Sequence, residues 1–261
     1  MAAVCKACED PLVISIEPDS DDEGQAGEEP QNVPDDLELP CGCHFHWQCI
    51  LDQSAEIAIS LNCPSCQKHL PTNQQGPSVT NPFLSTPSGA AILTRYVNEG
   101  GLQDALDILP SITEEAYLAA NPDARPARAY HLMCSEGDVQ GIVELLQDAN
   151  EELAGDIAQL GRLIRYQDPL AGGKSALHVA VEKAQEEVVW LLLWIASPVP
   201  TDVFPQSARQ AAEALQIVRL TNDNAEDIRA LRTEGGRTAE DIAKTMPDRW
   251  AALVDAGILR S

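Results

Sequence analysis

Residues 41–50 read Cys41-Gly42-Cys43-His44-Phe45-His46-Trp47-Gln48-Cys49-Ile50, a stretch that places three thiols and two imidazoles within nine positions. Working outward, Cys5-x2-Cys8 lies upstream and Cys63-x2-Cys66 downstream, so seven of the eight cysteines fall in the first 66 residues and only Cys134 stands apart. A two-residue spacer lets one tight turn aim both side chains at the same ion. Thiolate with an occasional imidazole is the donor set that structural zinc takes in a tetrahedron. Counted with His46, the eight ligands fall into four pairs, which predicts two closed Zn2+ sites. The rival reading, a disulfide framework, belongs to secreted chains. The opening MAAVCKACED lacks the basic-then-apolar layout of a signal peptide.

The chain around this cluster has 261 residues, enough for one large domain or two modest ones, and a formal charge of -24. Such a polyanion is repelled by phosphate backbones and anionic headgroups, so no direct nucleic-acid or membrane partner is expected. With no long apolar span, the expectation is an intracellular protein, cytoplasmic or nuclear. Residues 1–89 carry 14 acidic and 2 basic side chains against 27 and 15 in residues 90–261. Much of the excess sits in the run 17–38, read as an acidic loop inserted in the cysteine region and too poor in apolar residues to order itself. Residues 70–89, rich in Pro, Ser, Thr, Asn, Gln and Gly, read as a flexible linker. Within these two stretches, Ser20 stands in an acidic context suited to phosphorylation and Asn81-Pro82-Phe83 matches a short docking tripeptide; both read more simply as solvated spacer.

The order and gaps of the cysteine region resemble a RING finger. Leu39 to Ile50 is similar to the centre of that module and Cys63-Pro64-Ser65-Cys66 to its last pair. The resemblance implies a small α+β cross-brace fold over residues 1–69, with Cys5, Cys8, His46 and Cys49 on one zinc and Cys41, Cys43, Cys63 and Cys66 on the other. Cys43 stands where histidine is frequent, with His44 as a solvated neighbour. That ligand order is shared with the PHD finger, which reads histone tails, but the two-residue gap before His46 and Pro64 in the last pair favour RING. The resemblance further implies a ubiquitin ligase with no catalytic residue of its own, which holds a charged ubiquitin-conjugating enzyme by proximity and orientation. Carried over by position, the partner surface is Lys6, Ala7, Ile50, Leu51, Gln53, Pro64, Gln67 and Lys68. Ala7, Gln53 and Gln67 depart from the family's usual residues, which leaves a non-catalytic RING as the alternative.

Beyond the linker, apolar residues recur three and four apart, broken by Gly, Asn and Pro. The chain is self-similar: residues 129–146 (AYHLMCSEGDVQGIVELL) match residues 175–193 (SALHVAVEKAQEEVVWLLL), with His131 on His178 and Leu145-Leu146 on Leu192-Leu193. Residues 236–257 form a third copy with Asp241 at the histidine position, and residues 90–110 a weaker fourth. Each copy reads as a small-residue helix, a turn, and a helix ending in large aliphatics, a unit that cannot bury its apolar face alone. These copies resemble ankyrin repeats, most closely over Gly173–Leu193. The resemblance implies an all-α ankyrin solenoid over residues 90–261, with insertions near 148–172 and 197–232 that carry helical patterns of their own. It also implies a surface for a protein substrate, whose basic patch the acidity of the chain predicts. The two repeat histidines are expected to hydrogen-bond within the stack, Cys134 to be an inert packed thiol, and Trp190 and Trp194 to serve packing.

Overall fold

The computed structural model describes residues 3–16, 31–71, 90–153, 155–214, 219–220 and 226–261. Most of the acidic run, Ser20, nearly all of the expected linker with Asn81-Pro82-Phe83, and part of the second insertion therefore lie outside the described residues. The chain divides into two compact units, Met1–Pro122 and Asp123–Ser261.

The first unit contains a two-stranded ribbon, β1 (Val13–Ile16) with β2 (Gln31–Pro34), and a four-stranded antiparallel sheet. The sheet strands are β3 (Asp36–Glu38), β4 (His44–Phe45), β5 (Leu93–Asn98) and β6 (Gly101–Asp107), ordered β4-β3-β5-β6. Two short helices, α1 (Trp47–Leu51) and α2 (Ser54–Ser60), follow β4, and α3 (Leu109–Ala120) follows β6 and packs on both. Three expectations are corrected here. Residues 31–38 are ordered, because the alternation Asp36-Leu37-Glu38-Leu39 turns Leu37 and Leu39 into the core while the acids face outward. Leu70, placed in the linker by composition, is 2 % exposed and belongs to the same core. Residues 93–107 form a β-hairpin instead of a helical copy, and β5 pairs with β3 through Asp36↔Val97, Leu37↔Tyr96 and Glu38↔Arg95.

One apolar core accounts for the third correction. Leu37, Phe45, Ile50 and Ile57 from the cysteine region are packed with Ile92, Ile108 and Ile112. Burying these apolar side chains stabilises the unit by roughly 1.5–3 kcal/mol apiece, more than the local helix preference of a weak repeat copy can offset. A buried carboxylate ties the two stretches together. Asp35, 2 % exposed, accepts from the backbone N–H of Trp47 at 3.1 Å and from the hydroxyl of Tyr96 at 2.9 Å. The Trp47 and Tyr96 rings lie 5.3 Å apart between centroids.

Among the described residues the second unit is helical, with one short strand pair. Its elements are α4 (Arg125–Glu136), α5 (Val139–Glu152), α6 (Ile157–Ile164), the pair β7 (Gln167–Asp168) with β8 (Lys174–Ser175), α7 (Ala176–Glu182), α8 (Glu186–Ala196), α9 (Gln206–Ala214), α10 (Ala239–Ala243) and α11 (Pro247–Asp255). α4 packs on α7 and α7 on α10, while α5 packs on α8, so the matching helices of successive sequence copies lie side by side. Small residues permit the approach: Cys134, Ala176, Ala180, Ala239 and Ala243 are all buried at 0 % exposure. The turn between helices is likewise shared, with Gly137 at φ +83° and Ala184, its counterpart, at φ +58°. Ser175 and Thr238 begin α7 and α10 with reciprocal capping boxes to His178 and Asp241.

The histidines are structural, as expected. His178 Nε2 lies 3.0 Å from the Arg237 carbonyl and His131 Nε2 3.2 Å from that of Tyr166, each bracing a helix against a later segment. Burial pushes the Cys134 thiol well up, which keeps it protonated. Trp190 and Trp194 pack edge-on against Phe204. The Arg219 guanidinium lies over the Trp194 and Phe204 rings and donates to the carbonyls of Trp194, Ser197 and Val199 at the end of α8. Among the described residues, no helix is long and apolar enough to cross a membrane.

Candidate metal centre

Two turns of the same design carry the outer cysteine pairs. In the first, the Glu9 N–H donates to the Cys5 carbonyl at 3.0 Å and the Cys5 N–H to the Asp10 carbonyl at 3.0 Å. In the second, Gln67 donates to Cys63 and Cys63 to Lys68, both at 2.9 Å. Each turn passes through one left-handed residue just after its second cysteine, Glu9 at φ +67° and Gln67 at φ +59°. Each is closed by a bridge between its flanks, Val4↔Pro11 and Asn62↔His69. The hairpin brings the two sulfurs of a pair onto one side, and it frees backbone N–H groups to point at them: Ala7 N–H lies 3.4 Å from Cys5 Sγ.

The central stretch joins the two turns. Gly42, at φ +81°, closes the turn that presents Cys41 and Cys43. The chain then runs as β4, where Phe45 is 1 % exposed in the core, to His46 at the start of α1, with Cys49 three residues on and on the same helix face. β4 thus carries the chain from one ligand group to the other. Two groups result, Cys5, Cys8, His46 and Cys49, and Cys41, Cys43, Cys63 and Cys66, with the ligand atoms of each lying within 4.8 Å of one another. The chain alternates between them, which is the interleaving that the sequence resemblance implies.

The chemistry of both donor sets fits a metal cation. His46 Nε2 lies 2.9 Å from the Pro11 carbonyl, which can only accept, so this nitrogen carries the proton. Nδ1 then presents a lone pair to the thiols, 3.3 Å from Cys8 Sγ and 3.8 Å from Cys49 Sγ. A carbonyl that fixes the tautomer in this way is the usual support of a metal-binding imidazole. The thiols are not uniform. Burial pushes Cys5 up, but the N–H groups of Cys8, His46 and Ala7 outweigh it and bring the thiol to about 6. The Lys68 N–H brings Cys66 down to about 7. Burial instead pushes Cys41 and Cys49 up to about 12. Packed thiols of one group therefore do not all ionise unaided near neutrality, and a bound cation is what lets them do so together. None of the eight cysteines forms a disulfide. With four protein ligands apiece the groups are closed, with no place reserved for a reacting water.

His44 joins neither group. It is half-buried, with Nδ1 2.7 Å from Asp36 Oδ1, so the solvated neighbour expected from the sequence is instead a cross-strand partner between β4 and β3. Among the carried-over partner residues, Lys6, Ala7, Gln67 and Lys68 are exposed, and Leu51, Gln53 and Pro64 half-buried. Ile50 is corrected: it is wholly buried in the core beneath α1 and presents nothing to a partner. Gln67 Nε2 donates to the Pro64 carbonyl at 3.2 Å, which stiffens the second turn. Asp35 and Tyr96 do not stand out in the sequence as a pair. The elements that hold them have sequence signals, Asp36-Leu37-Glu38-Leu39 as a strand just after Asp35 and Asn98-Glu99-Gly100-Gly101 as a hairpin turn just after Tyr96, but the first lies at the end of an acidic run and the second coincides with a repeat alignment. No protein-family model, curated protein or solved structure matches the chain.

Proposed function

We propose that the protein is a RING-type ubiquitin ligase whose cysteine module binds two structural zinc ions and recruits a charged ubiquitin-conjugating enzyme, while an ankyrin-type helical unit captures the protein to be modified. The observation that carries the reading is the pair of interleaved, closed four-ligand groups, each anchored by a Cys-x2-Cys turn. Zinc, when bound, supplies cross-links between segments distant in sequence. The chain's own residues do the rest: Pro11 holds the His46 tautomer, backbone N–H groups favour the Cys5 and Cys66 thiolates, and the exposed Lys6, Ala7, Gln67 and Lys68 are free to meet a partner. Ubiquitin transfer then depends on proximity and orientation at the partner enzyme's thioester. For the helical unit, the support is the stacking of α4, α7 and α10, the two capping boxes and the contacts of both repeat histidines with later segments, His178 with the third copy.

The test is reconstitution. Purified protein with activating enzyme, a panel of conjugating enzymes, ubiquitin and ATP is expected to build chains or modify itself, and a Cys63→Ser variant to lose that activity. Silence across the panel favours the second reading, a zinc and repeat scaffold that only binds. That reading draws on Ala7, Gln53 and Ile50, where a small, a polar and a buried side chain stand in the expected docking surface.

A further inference from the structure

The helical unit carries a groove of about 370 Å³ along α5, bounded on its other side by α4. Its floor is apolar, made by Pro126 and Met133 from α4 and Leu145 and Ala149 from α5, with the bare backbone of Gly141 at one end. Its rim is Glu144, Asp148 and Glu152, exposed and four residues apart on a single helix edge. No lysine or arginine occurs between Arg128 and Arg162, so α5 itself carries charge of one sign, and on α4 Arg128 is engaged with Asp168. Among the described residues, Glu144 accepts a hydrogen bond from Gln140 at 2.6 Å, and no ion pair engages the rim.

From these features we infer that the α4–α5 groove docks a basic amphipathic helix of a partner protein. The occupant follows from the geometry. From Gly141 to Glu152 the groove runs ~16 Å, about three helical turns. A helix laid along it presents apolar side chains three and four apart to the floor. Carboxylates at four-residue spacing recur every ~6 Å, and lysines or arginines at the same spacing on the incoming helix meet them in register. An acidic helix of the same shape is disfavoured, because the three carboxylates on α5 repel it, and a neutral helix gains the apolar contact but no charge pairing. The inference rests on the reading of the helical unit as the partner-binding half of the molecule and is independent of ligase activity.

The probe is a fluorescein-labelled, helix-forming peptide with a leucine stripe flanked by lysines at every fourth position, titrated with the full-length protein and followed by anisotropy. Saturable binding that weakens as salt rises is expected. Neutralising the rim with Glu144→Gln, Asp148→Asn and Glu152→Gln, all exposed and so without effect on circular dichroism, should weaken it roughly tenfold. Neutralisation away from the groove, Glu186→Gln with Glu187→Gln on α8, should leave it unchanged. A peptide with glutamate for lysine, or with the lysine spacing scrambled, should fail to bind. Equal binding to both neutralised variants, or equal binding of the scrambled peptide, reduces the effect to net charge and refutes the groove. A protein that ubiquitylates itself yet ignores the lysine peptide refutes the groove alone. Peptide binding without any ubiquitylation supports the groove and removes the ligase reading.

Discussion

At the scale of single residues, equivalent positions reveal what each side chain costs or contributes. Gly137 and Ala184 occupy the same left-handed turn, but an added Cβ at Gly137 falls 2.5 Å from Gln185 Oε1. Gly137→Ala is therefore expected to cost about 1–2 kcal/mol, whereas Ala184→Gly gains up to about 1 kcal/mol, a difference that urea unfolding of the two variants reads directly. The repeat histidines differ in a similar way. His178 Nδ1 is paired with Ser175, while the counterpart of Ser175 in the earlier copy is Arg128, and His131 Nδ1 is buried without a partner among the described residues. Burial holds His131 down to about 4. The folded protein then stays neutral at this site while the unfolded chain takes up a proton, so stability falls as pH drops from about 6.5 to about 4 and by about 3 kcal/mol in all. His131→Gln keeps a donor for Tyr166 and removes this slope. The stability difference between variant and parent, measured at about pH 7.5 and about pH 5, should shift in favour of the variant at the lower pH; a constant difference would exclude the effect.

At the scale of elements, the hairpin β5–β6 and helix α3 complete the cysteine module. The module's buried carboxylate, Asp35, depends on Tyr96, whose own hydroxyl is pushed up to about 12 by burial and by that carboxylate. Tyr96→Phe leaves the Asp35 carboxylate, among the described residues, with the Trp47 N–H alone, and a loss of about 1–3 kcal/mol is expected, visible as a lower melting temperature of the metal-loaded protein. A stronger statement concerns truncation. A fragment of residues 1–122 keeps Ile92, Ile108 and Ile112 over the core and should unfold cooperatively. A fragment of residues 1–71 exposes the Leu37 and Ile57 side of that core and should bind hydrophobic dye or aggregate even with metal present. Equal behaviour of the two fragments would mean that the hairpin is an accessory.

At the scale of the molecule, two closed ligand groups predict two metal ions per chain. Native mass spectrometry should count two zinc ions in the parent and a lower occupancy in both Cys5→Ser and Cys63→Ser. Because β4 links the groups, loss of one ion should also hasten chelator removal of the other. Cobalt substitution separates them further: a four-thiolate group and a three-thiolate, one-imidazole group give different absorption, and Cys63→Ser alters the first spectrum while Cys5→Ser alters the second.

Residue identity and spacing were enough to determine the eight candidate ligands, the helical copies beginning at α4, α7 and α10, and the structural role of His131 and His178 in the first two. Cys-x2-Cys, a shared histidine position and a shared turn are local signals whose chemistry does not depend on what packs around them. Tertiary structure decided where the first unit ends. Whether Leu93 to Asp107 is hairpin or helix, whether Asp35 is solvated or buried, and whether Ile50 faces a partner or the core all depend on which apolar surfaces meet across more than fifty residues of chain. Charge composition pointed the acidic run outward as a whole, and only the pairing of β3 with β5 turned its last residues into the strand on which the module is built.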